Sequence, residues 1–183
     1  MEILGQLPIP LLAWYGEHAR TLPWRSDPTA YHVLVSELML QQTRVAAVME
    51  YYRRFMEALP TVEDLAGVEE DVLLKLWQGL GYYNRAHNLK KAACRVVEEY
   101  GGVFPGTYEE LLTLPGVGEY TAAAIASIAF GEDVSAVDGN VLRVVSRLTL
   151  SRSDVTRAET KKRVRASLKR SSPAAWRGSS TRP

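Results

Sequence analysis

The 183-residue chain is 46% hydrophobic and 23% charged, a balance typical of a globular protein that can bury one substantial core or two small ones. It has no run of eighteen apolar residues and no basic start followed by an apolar stretch and a cleavage site. We therefore expect an intracellular protein that is neither secreted nor inserted in a membrane. The single cysteine, Cys94, excludes an internal disulfide, and no CxxC or HxxxH spacing predicts a metal site.

The net charge of +1 hides an uneven distribution of charge. Residues 161–183 hold eight of the 22 basic residues and no acidic one, so 14 basic residues face 21 acidic ones in residues 1–160, a balance of −7. Nucleic-acid proteins usually depend on neutralising phosphates. Charge alone therefore gives no indication of DNA binding.

The spacing of apolar residues predicts an all-α chain, because helical periodicity runs through most of it and period-two alternation is lacking. Asp27-Pro28 predicts the start of a helix over residues 30–43, and a second helix follows over about 44–56. A longer helix is predicted over about 84–100 and ends at Gly101-Gly102. Three further helix starts are marked by capping-box patterns at Thr61, Thr107 and Thr156.

A glycine-rich turn separates two predicted helices, one over residues 107–114 and an Ala-rich one over residues 119–130. Its sequence is Leu114-Pro115-Gly116-Val117-Gly118. The glycines permit unusual backbone conformations and leave peptide N–H groups unshielded at a helix N-terminus, where a phosphate can bind. An ordinary turn between two helices that needs two glycines explains the pentapeptide equally well.

Two carboxylates are candidates for chemistry. Glu37 interrupts a helix that is otherwise apolar nearly all round; partial burial would raise its pKa and make it a general acid, unless its head lies in solvent at the helix edge. Asp138 precedes a predicted helix over residues 141–148. It could stabilise positive charge on a substrate; in the alternative interpretation, either Asp138 or Asn140 simply caps that helix.

Two polar or aromatic segments are candidates for DNA contacts. Gln41, Gln42 and Thr43 end the helix of Glu37, and amides can hydrogen-bond to base edges. Tyr82 lies in the glycine-flanked segment 79–85, where an aromatic ring at a loop tip could wedge into a base stack. Helix-end polar residues and a packed tyrosine pair remain the alternative interpretation.

Five motifs occur in this order between about residues 11 and 150: Leu22-Pro23-Trp24-Arg25, residues 36–43, residues 79–86, residues 114–118 and residues 137–141. Together they resemble the helix-hairpin-helix DNA glycosylases, and among them the MutY-type adenine glycosylases. The resemblance implies an all-α fold with two lobes. A six-helix lobe would span residues 27–135 with its hairpin at about 107–130, and an incomplete second lobe would combine residues 1–26 with 136–168.

The resemblance also implies an enzyme of base excision repair. Its substrate would be adenine mispaired with 8-oxoguanine or guanine, flipped out of double-stranded DNA. By position, Glu37 matches the acid that protonates the adenine ring and Asp138 the carboxylate that stabilises the oxocarbenium-like sugar, and water completes the hydrolysis. The implied DNA or substrate contacts are Arg25, Gln42, Thr43, Tyr82, the hairpin residues Leu114, Pro115, Gly116, Val117 and Gly118, and Tyr120 and Asn140.

Position 120 separates the subfamilies of this resemblance. Bifunctional relatives such as endonuclease III carry a lysine there, which forms a Schiff base with the sugar. This chain has Tyr120, which cannot do that chemistry. We therefore expect a monofunctional glycosylase.

Family members continue past the position of Leu168 with further helices, four cysteines for a 4Fe-4S cluster and a domain that recognises 8-oxoguanine. We expect no cofactor in this chain, a truncated or frameshifted end, a disordered basic tail over residues 169–183, and an uncovered apolar side at Leu11, Leu12 and Tyr15. We also expect a monomer that binds mispaired duplex DNA. The alternatives are a non-catalytic DNA-binding remnant and a glycosylase for thymine or pyrimidine lesions.

Overall fold

The computed structural model describes residues 2–171, and the described chain is all-α as predicted. Helices follow one another through short turns, and no strand occurs in this part of the chain. The described helices are α1 Glu2–Gln6, α2 Pro8–His18, α3 Pro23–Ser26, α4 Ala30–Leu40, α5 Val45–Ala58, α6 Val62–Gly67, α7 Glu70–Trp77, α8 Asn84–Tyr100, α9 Tyr108–Leu111, α10 Glu119–Ala129, α11 Gly139–Leu148 and α12 Ala158–Ser171.

The chain divides into two compact units. The central unit runs from Thr21 to Phe130, and the terminal unit combines the residues up to Arg20 with those from Gly131 onward. The boundaries expected from the sequence follow residues 26 and 135. In the central unit, α4, α5, α6, α7, α8 and α10 are each six residues or longer.

Helix α4 forms the centre of the central unit. It packs against α5, α8 and α10, which explains why it is apolar nearly all round. Leu34 and Val35 are fully buried in it. Helix α10 approaches α4 with a buried series of small side chains, Ala122, Ala123, Ala124 and Ala126, and small side chains let two helices pack closely.

The predicted helix starts are partly confirmed. Thr61 forms a complete capping box with Asp64, and the Thr107 hydroxyl accepts the Glu110 backbone N–H. The prediction for Asp27 is wrong in detail, because the side chain that caps α4 is Thr29. The prediction for Thr156 is wrong, because its backbone N–H and hydroxyl both bond to Asp154 in a turn that precedes α12.

The terminal unit has a small core of its own. Side chains from α1, α11 and α12 pack there, with Leu4, Leu142 and Val164 all buried. Helix α2 has no fully buried residue. Leu11 is 49% and Tyr15 42% exposed, as expected from the sequence, whereas Leu12 is half-buried. No helix among the described residues has both the length and the apolarity that crossing a bilayer requires.

Helix α12 corrects the predicted start of the basic tail. The tail was expected from residue 169, but the helix continues to Ser171. Residues 172–183, which the same prediction covers, lie outside the described residues. Lys161, Lys162 and Lys169 are exposed on α12, while Val164 is buried in the core of the terminal unit.

Candidate functional site

Glu37 lies in the last turns of α4, between the buried residues Ser36 and Leu38. It is half-buried, so it lies neither in open solvent nor in the sealed core. The Ser36 hydroxyl donates to the Val33 carbonyl at 3.0 Å, within the helix. The helix therefore provides a rigid, largely apolar support for this one carboxylate, as a general acid requires.

Helix α4 ends in a tight turn that carries two predicted DNA contacts. The Thr43 backbone N–H donates to the Leu40 carbonyl at 3.1 Å. Gln42 is exposed and has a left-handed backbone with φ of 58°, while Thr43 is half-buried. An L side chain rarely adopts such a φ, so the turn needs support from its surroundings.

The segment between α7 and α8 presents Tyr82. This side chain is 64% exposed, and its backbone is also left-handed, with φ of 49°. Tyr82 and Gln42 line the same open cavity of about 320 Å³, although the two residues are far apart in sequence. The remaining residues that line the cavity are Gln41, Tyr83, Asn84 and Arg85.

Arg85 is the member of this cluster whose role sequence reasoning missed. It is only 7% exposed, and its guanidinium donates to backbone carbonyls at both the α4 turn and the Tyr82 segment. Its burial lowers the pKa of the guanidinium below the usual value, mainly through desolvation. A sequence signal did exist, because Arg85 precedes the buried Leu89 by four residues and therefore lies on the apolar side of α8.

The glycine-rich turn joins α9 to α10 as predicted. Leu114 and Val117 are buried, and they anchor the turn from inside. Pro115 is half-buried, whereas Gly116 and Gly118 are exposed. Gly118 is the N-cap of α10 and offers no side chain to its first N–H groups. The turn thus presents backbone donors at a helix N-terminus, an arrangement that suits a phosphate.

The two glycines of this turn should respond differently to alanine. Gly116 has φ of 74°, and an added Cβ would lie 2.5 Å from the Cβ of Asn88, so we expect Gly116→Ala to destabilise the protein by about 1–3 kcal/mol. Gly118 has φ of −89°, and an added Cβ would meet nothing within 4 Å. Urea unfolding of both variants checks the contrast. Equal losses of stability would contradict it.

Two further predicted contacts of the central unit are exposed. Arg25 lies in α3, next to the buried Trp24, whose ring meets that of Tyr52 edge to face. Tyr120 lies in the first turn of α10 and is 37% exposed. The structure places neither residue in the cavity that holds Gln42 and Tyr82.

Asp138 lies in the terminal unit, where it caps α11. Its Oδ1 accepts the Val141 backbone N–H at 2.8 Å, and its Oδ2 accepts a hydrogen bond from the Asn140 side-chain amide at 2.9 Å. Arg143 in turn donates to the Asn140 side-chain oxygen at 3.1 Å. The capping interpretation of Asp138 is therefore confirmed. These contacts also fix the orientation of a half-buried carboxylate, so capping does not exclude a chemical role.

One protein family matches most of the chain. The model of the HhH-GPD superfamily base excision DNA repair proteins matches residues 35–173 of the chain. The chain belongs to the HhH-GPD superfamily. The match begins within α4 and covers the turn after it, the Tyr82 segment, the glycine-rich hairpin and α11.

Curated relatives of this HhH-GPD chain have one name in common. Adenine DNA glycosylases from Mus musculus and Homo sapiens are 51% and 52% identical over 155 and 147 residues, which is 80% and 75% of this chain. The adenine DNA glycosylase of Mycolicibacterium smegmatis is 42% identical over 148 residues. The chain spans only 30%, 27% and 50% of these three proteins.

Solved structures share the fold. A thermostable thymine-DNA glycosylase matches 96% of this chain and 81% of its own with a TM-score of 0.84 and 26% identity. A non-covalent endonuclease III–DNA complex matches 95% of this chain and 80% of its own, with a TM-score of 0.75 and 27% identity. The predicted helix-hairpin-helix glycosylase fold is confirmed.

The residues of this HhH-GPD chain do not fit the 4Fe-4S cluster that the resemblance implies for longer relatives. Such a cluster needs four thiolates, and Cys94 is the only cysteine in the sequence. It is half-buried in α8, with its Sγ 3.6 Å from the Ala66 carbonyl. Within the described residues, no three His, Cys, Asp or Glu side chains are placed to hold a metal ion.

Proposed function

We propose that this chain is the base-releasing core of a monofunctional adenine DNA glycosylase. It hydrolyses the N-glycosidic bond of adenine opposite 8-oxoguanine or guanine in double-stranded DNA, as a monomer inside the cell. One observation supports the proposal most strongly. Adenine DNA glycosylases from Mus musculus and Homo sapiens are 51% and 52% identical to this chain over 80% and 75% of its length.

Glu37 is the proposed general acid. Adenine is a poor leaving group as an anion, and a proton delivered to its ring lets it depart as a neutral base. The half-buried position of Glu37 in the apolar helix α4 supports this role, because the helix holds the carboxyl in a fixed place away from open solvent. Base flipping brings the adenine within reach of the carboxyl.

Asp138 is the proposed electrostatic partner of the sugar. Loss of the base leaves positive charge on the deoxyribose ring, and an ionised carboxylate stabilises that charge until water adds. The hydrogen bonds from the Val141 N–H and the Asn140 amide hold the carboxylate in one orientation. Tyr120 offers no amine for a Schiff base, so the product is an abasic site in an uncut strand.

The remaining predicted residues hold the DNA in this proposal. The hairpin over residues 114–118 binds a backbone phosphate through its N–H groups. Tyr82 wedges into the base stack, and Gln42 with Thr43 contacts the opposing base. The exposure of Tyr82 and its closeness to Gln42 in one cavity support these roles.

A thymine-DNA glycosylase is the second candidate. The solved structure with a TM-score of 0.84 favours it, but that protein is only 26% identical to this chain. The adenine glycosylases are 51% and 52% identical, so substrate-contacting side chains are better matched to adenine.

A panel of duplexes separates the candidates. We expect single-turnover reactions to release a base from A opposite 8-oxoguanine and from A opposite G, but not from T opposite G or from A opposite T. Strand breaks should appear only after alkali treatment, since a monofunctional enzyme leaves the backbone intact. Release from T opposite G alone would favour the thymine enzyme. Folded protein that binds the duplexes without releasing any base would favour a non-catalytic remnant.

A further inference from the structure

Two residues of the central unit have a strained backbone, and both are exposed. Among the described residues, the non-glycine positions with positive φ are Gln42, Tyr82 and Leu150. Gln42 and Tyr82 line the same cavity. Left-handed backbone at such residues persists only where the surrounding structure holds it. Both turns therefore need contacts from the surrounding structure.

The guanidinium of Arg85 reaches both turns at once. Its Nη1 donates to the carbonyl of Gln41 at 2.5 Å, and its Nη2 donates to the carbonyl of Gly81 at 3.0 Å. Both nitrogens lie 3.4 Å from the hydroxyl of Thr43. Three further carbonyls accept from the same group, at Leu38 and Met39 at 2.9 Å and at Leu80 at 3.0 Å.

Two of the carbonyls that accept from Arg85 directly precede the two strained residues. The carbonyl of Gln41 belongs to the peptide group that leads into Gln42, and the carbonyl of Gly81 belongs to the peptide group that leads into Tyr82. A hydrogen bond to a carbonyl restrains the plane of its peptide group, and hence the φ of the following residue. One side chain thus restrains the backbone at both strained residues.

Packing alone does not account for an arginine here. Arg85 lies on the buried side of α8, where an apolar side chain would fill space without desolvating a charge. Its hydrogen-bond acceptors in the described part of the chain are carbonyl and hydroxyl oxygens, and no carboxylate is among them. The planar fork of donors is what the position uses, since a lysine ammonium cannot span two separate turns.

We propose that Arg85 is a positioning residue that locks the left-handed turns at Gln42 and Tyr82 and so directs both side chains toward the duplex. The inference rests on the proposed function in taking Gln42 and Tyr82 as DNA contacts. The centroid of the Tyr82 ring lies 5.5 Å from the guanidinium carbon, so the side chain of Tyr82 also packs on Arg85.

Arg85→Lys tests the proposal, with Arg53→Lys as the matched control. Arg53 pairs with Glu50 and Glu57 on the exposed face of α5 and belongs to neither turn. In Arg85→Lys we expect hydrogen exchange about tenfold faster in both segments, 41–43 and 79–83, with α6 and α10 unchanged. We also expect affinity for an A·8-oxoguanine duplex to fall about tenfold, the equivalent of one lost charge-assisted hydrogen bond. The control should change neither quantity.

A second variant covers the case in which Arg85→Lys does not fold. Thr43→Val keeps the side-chain shape and removes the hydroxyl that faces both Arg85 nitrogens. Its exchange should rise in segment 41–43 only, and unchanged exchange there would count against the proposal.

The two arms separate the possible failures. Unchanged exchange in Arg85→Lys, or faster exchange in one turn only, overturns the proposed lock. Faster exchange in both turns with unchanged duplex affinity also overturns it, because Arg85 would then be structural only. If the wild-type protein binds no duplex, the proposed function fails, and the exchange arm still decides whether Arg85 holds the turns.

Discussion

Glu37→Gln should reduce the single-turnover rate of adenine release by about 100- to 10,000-fold, the usual contribution of a general acid. The amide has the same shape as the carboxyl but cannot deliver the proton that the adenine ring needs. Because Glu37 is half-buried on α4 and glutamine is also a good helix former, the helix should form normally.

Glu57→Gln is the matched control for this experiment. Glu57 lies exposed on α5, where it pairs with Arg53. We expect its rate of release to equal that of the wild type. A Glu37→Gln protein that released adenine within about threefold of the wild-type rate would remove Glu37 from the mechanism, since the whole contribution of a general acid is far larger.

Asp138→Asn should lower the rate of release by about 100- to 1,000-fold, the loss typical when one electrostatic group that stabilises a transition state is removed. Asparagine caps helices as well as aspartate does, so the hydrogen bond from the Val141 N–H should survive. The substitution therefore removes the charge and the acceptor for the Asn140 amide, and it retains the cap.

Asp138→Ala separates the two roles of this residue. It removes the charge and the cap together, and we expect an additional loss of about 1 kcal/mol in the free energy of unfolding. Rates of release and urea unfolding of both variants check the separation. An Asn variant with wild-type activity and an inactive, destabilised Ala variant would show that Asp138 acts only as a cap.

Local signals predicted much of the fold. The apolar face of α8 and its glycine end gave its bounds, and the capping box of Thr61 gave the start of α6, because these features depend on neighbours within a few residues. The capping-box pattern at Thr156 gave a wrong helix start, because a near neighbour binds the same groups. Asp154 lies two residues before it and competes for its hydroxyl and N–H in a turn.

The candidate site was only partly predictable. A DNA enzyme was implied only by the resemblance of five ordered motifs to a known family, and Glu37, Gln42 and Tyr82 lie in these motifs. The backbone is left-handed at Gln42 and Tyr82, and Arg85 donates hydrogen bonds to the turns of both residues. These features depend on contacts between segments about forty residues apart. No local propensity encodes such contacts, and tertiary packing decides them.

Direct chromatographic detection of the free base tests the central claim most directly. Wild-type protein in molar excess is incubated with a duplex that contains one A opposite 8-oxoguanine, and the small-molecule fraction is analysed by mass. We predict free adenine in amounts that approach one equivalent of the duplex, and none in the parallel reaction with Glu37→Gln. Folded wild-type protein that binds this duplex and releases no adenine would contradict the assignment as an adenine glycosylase.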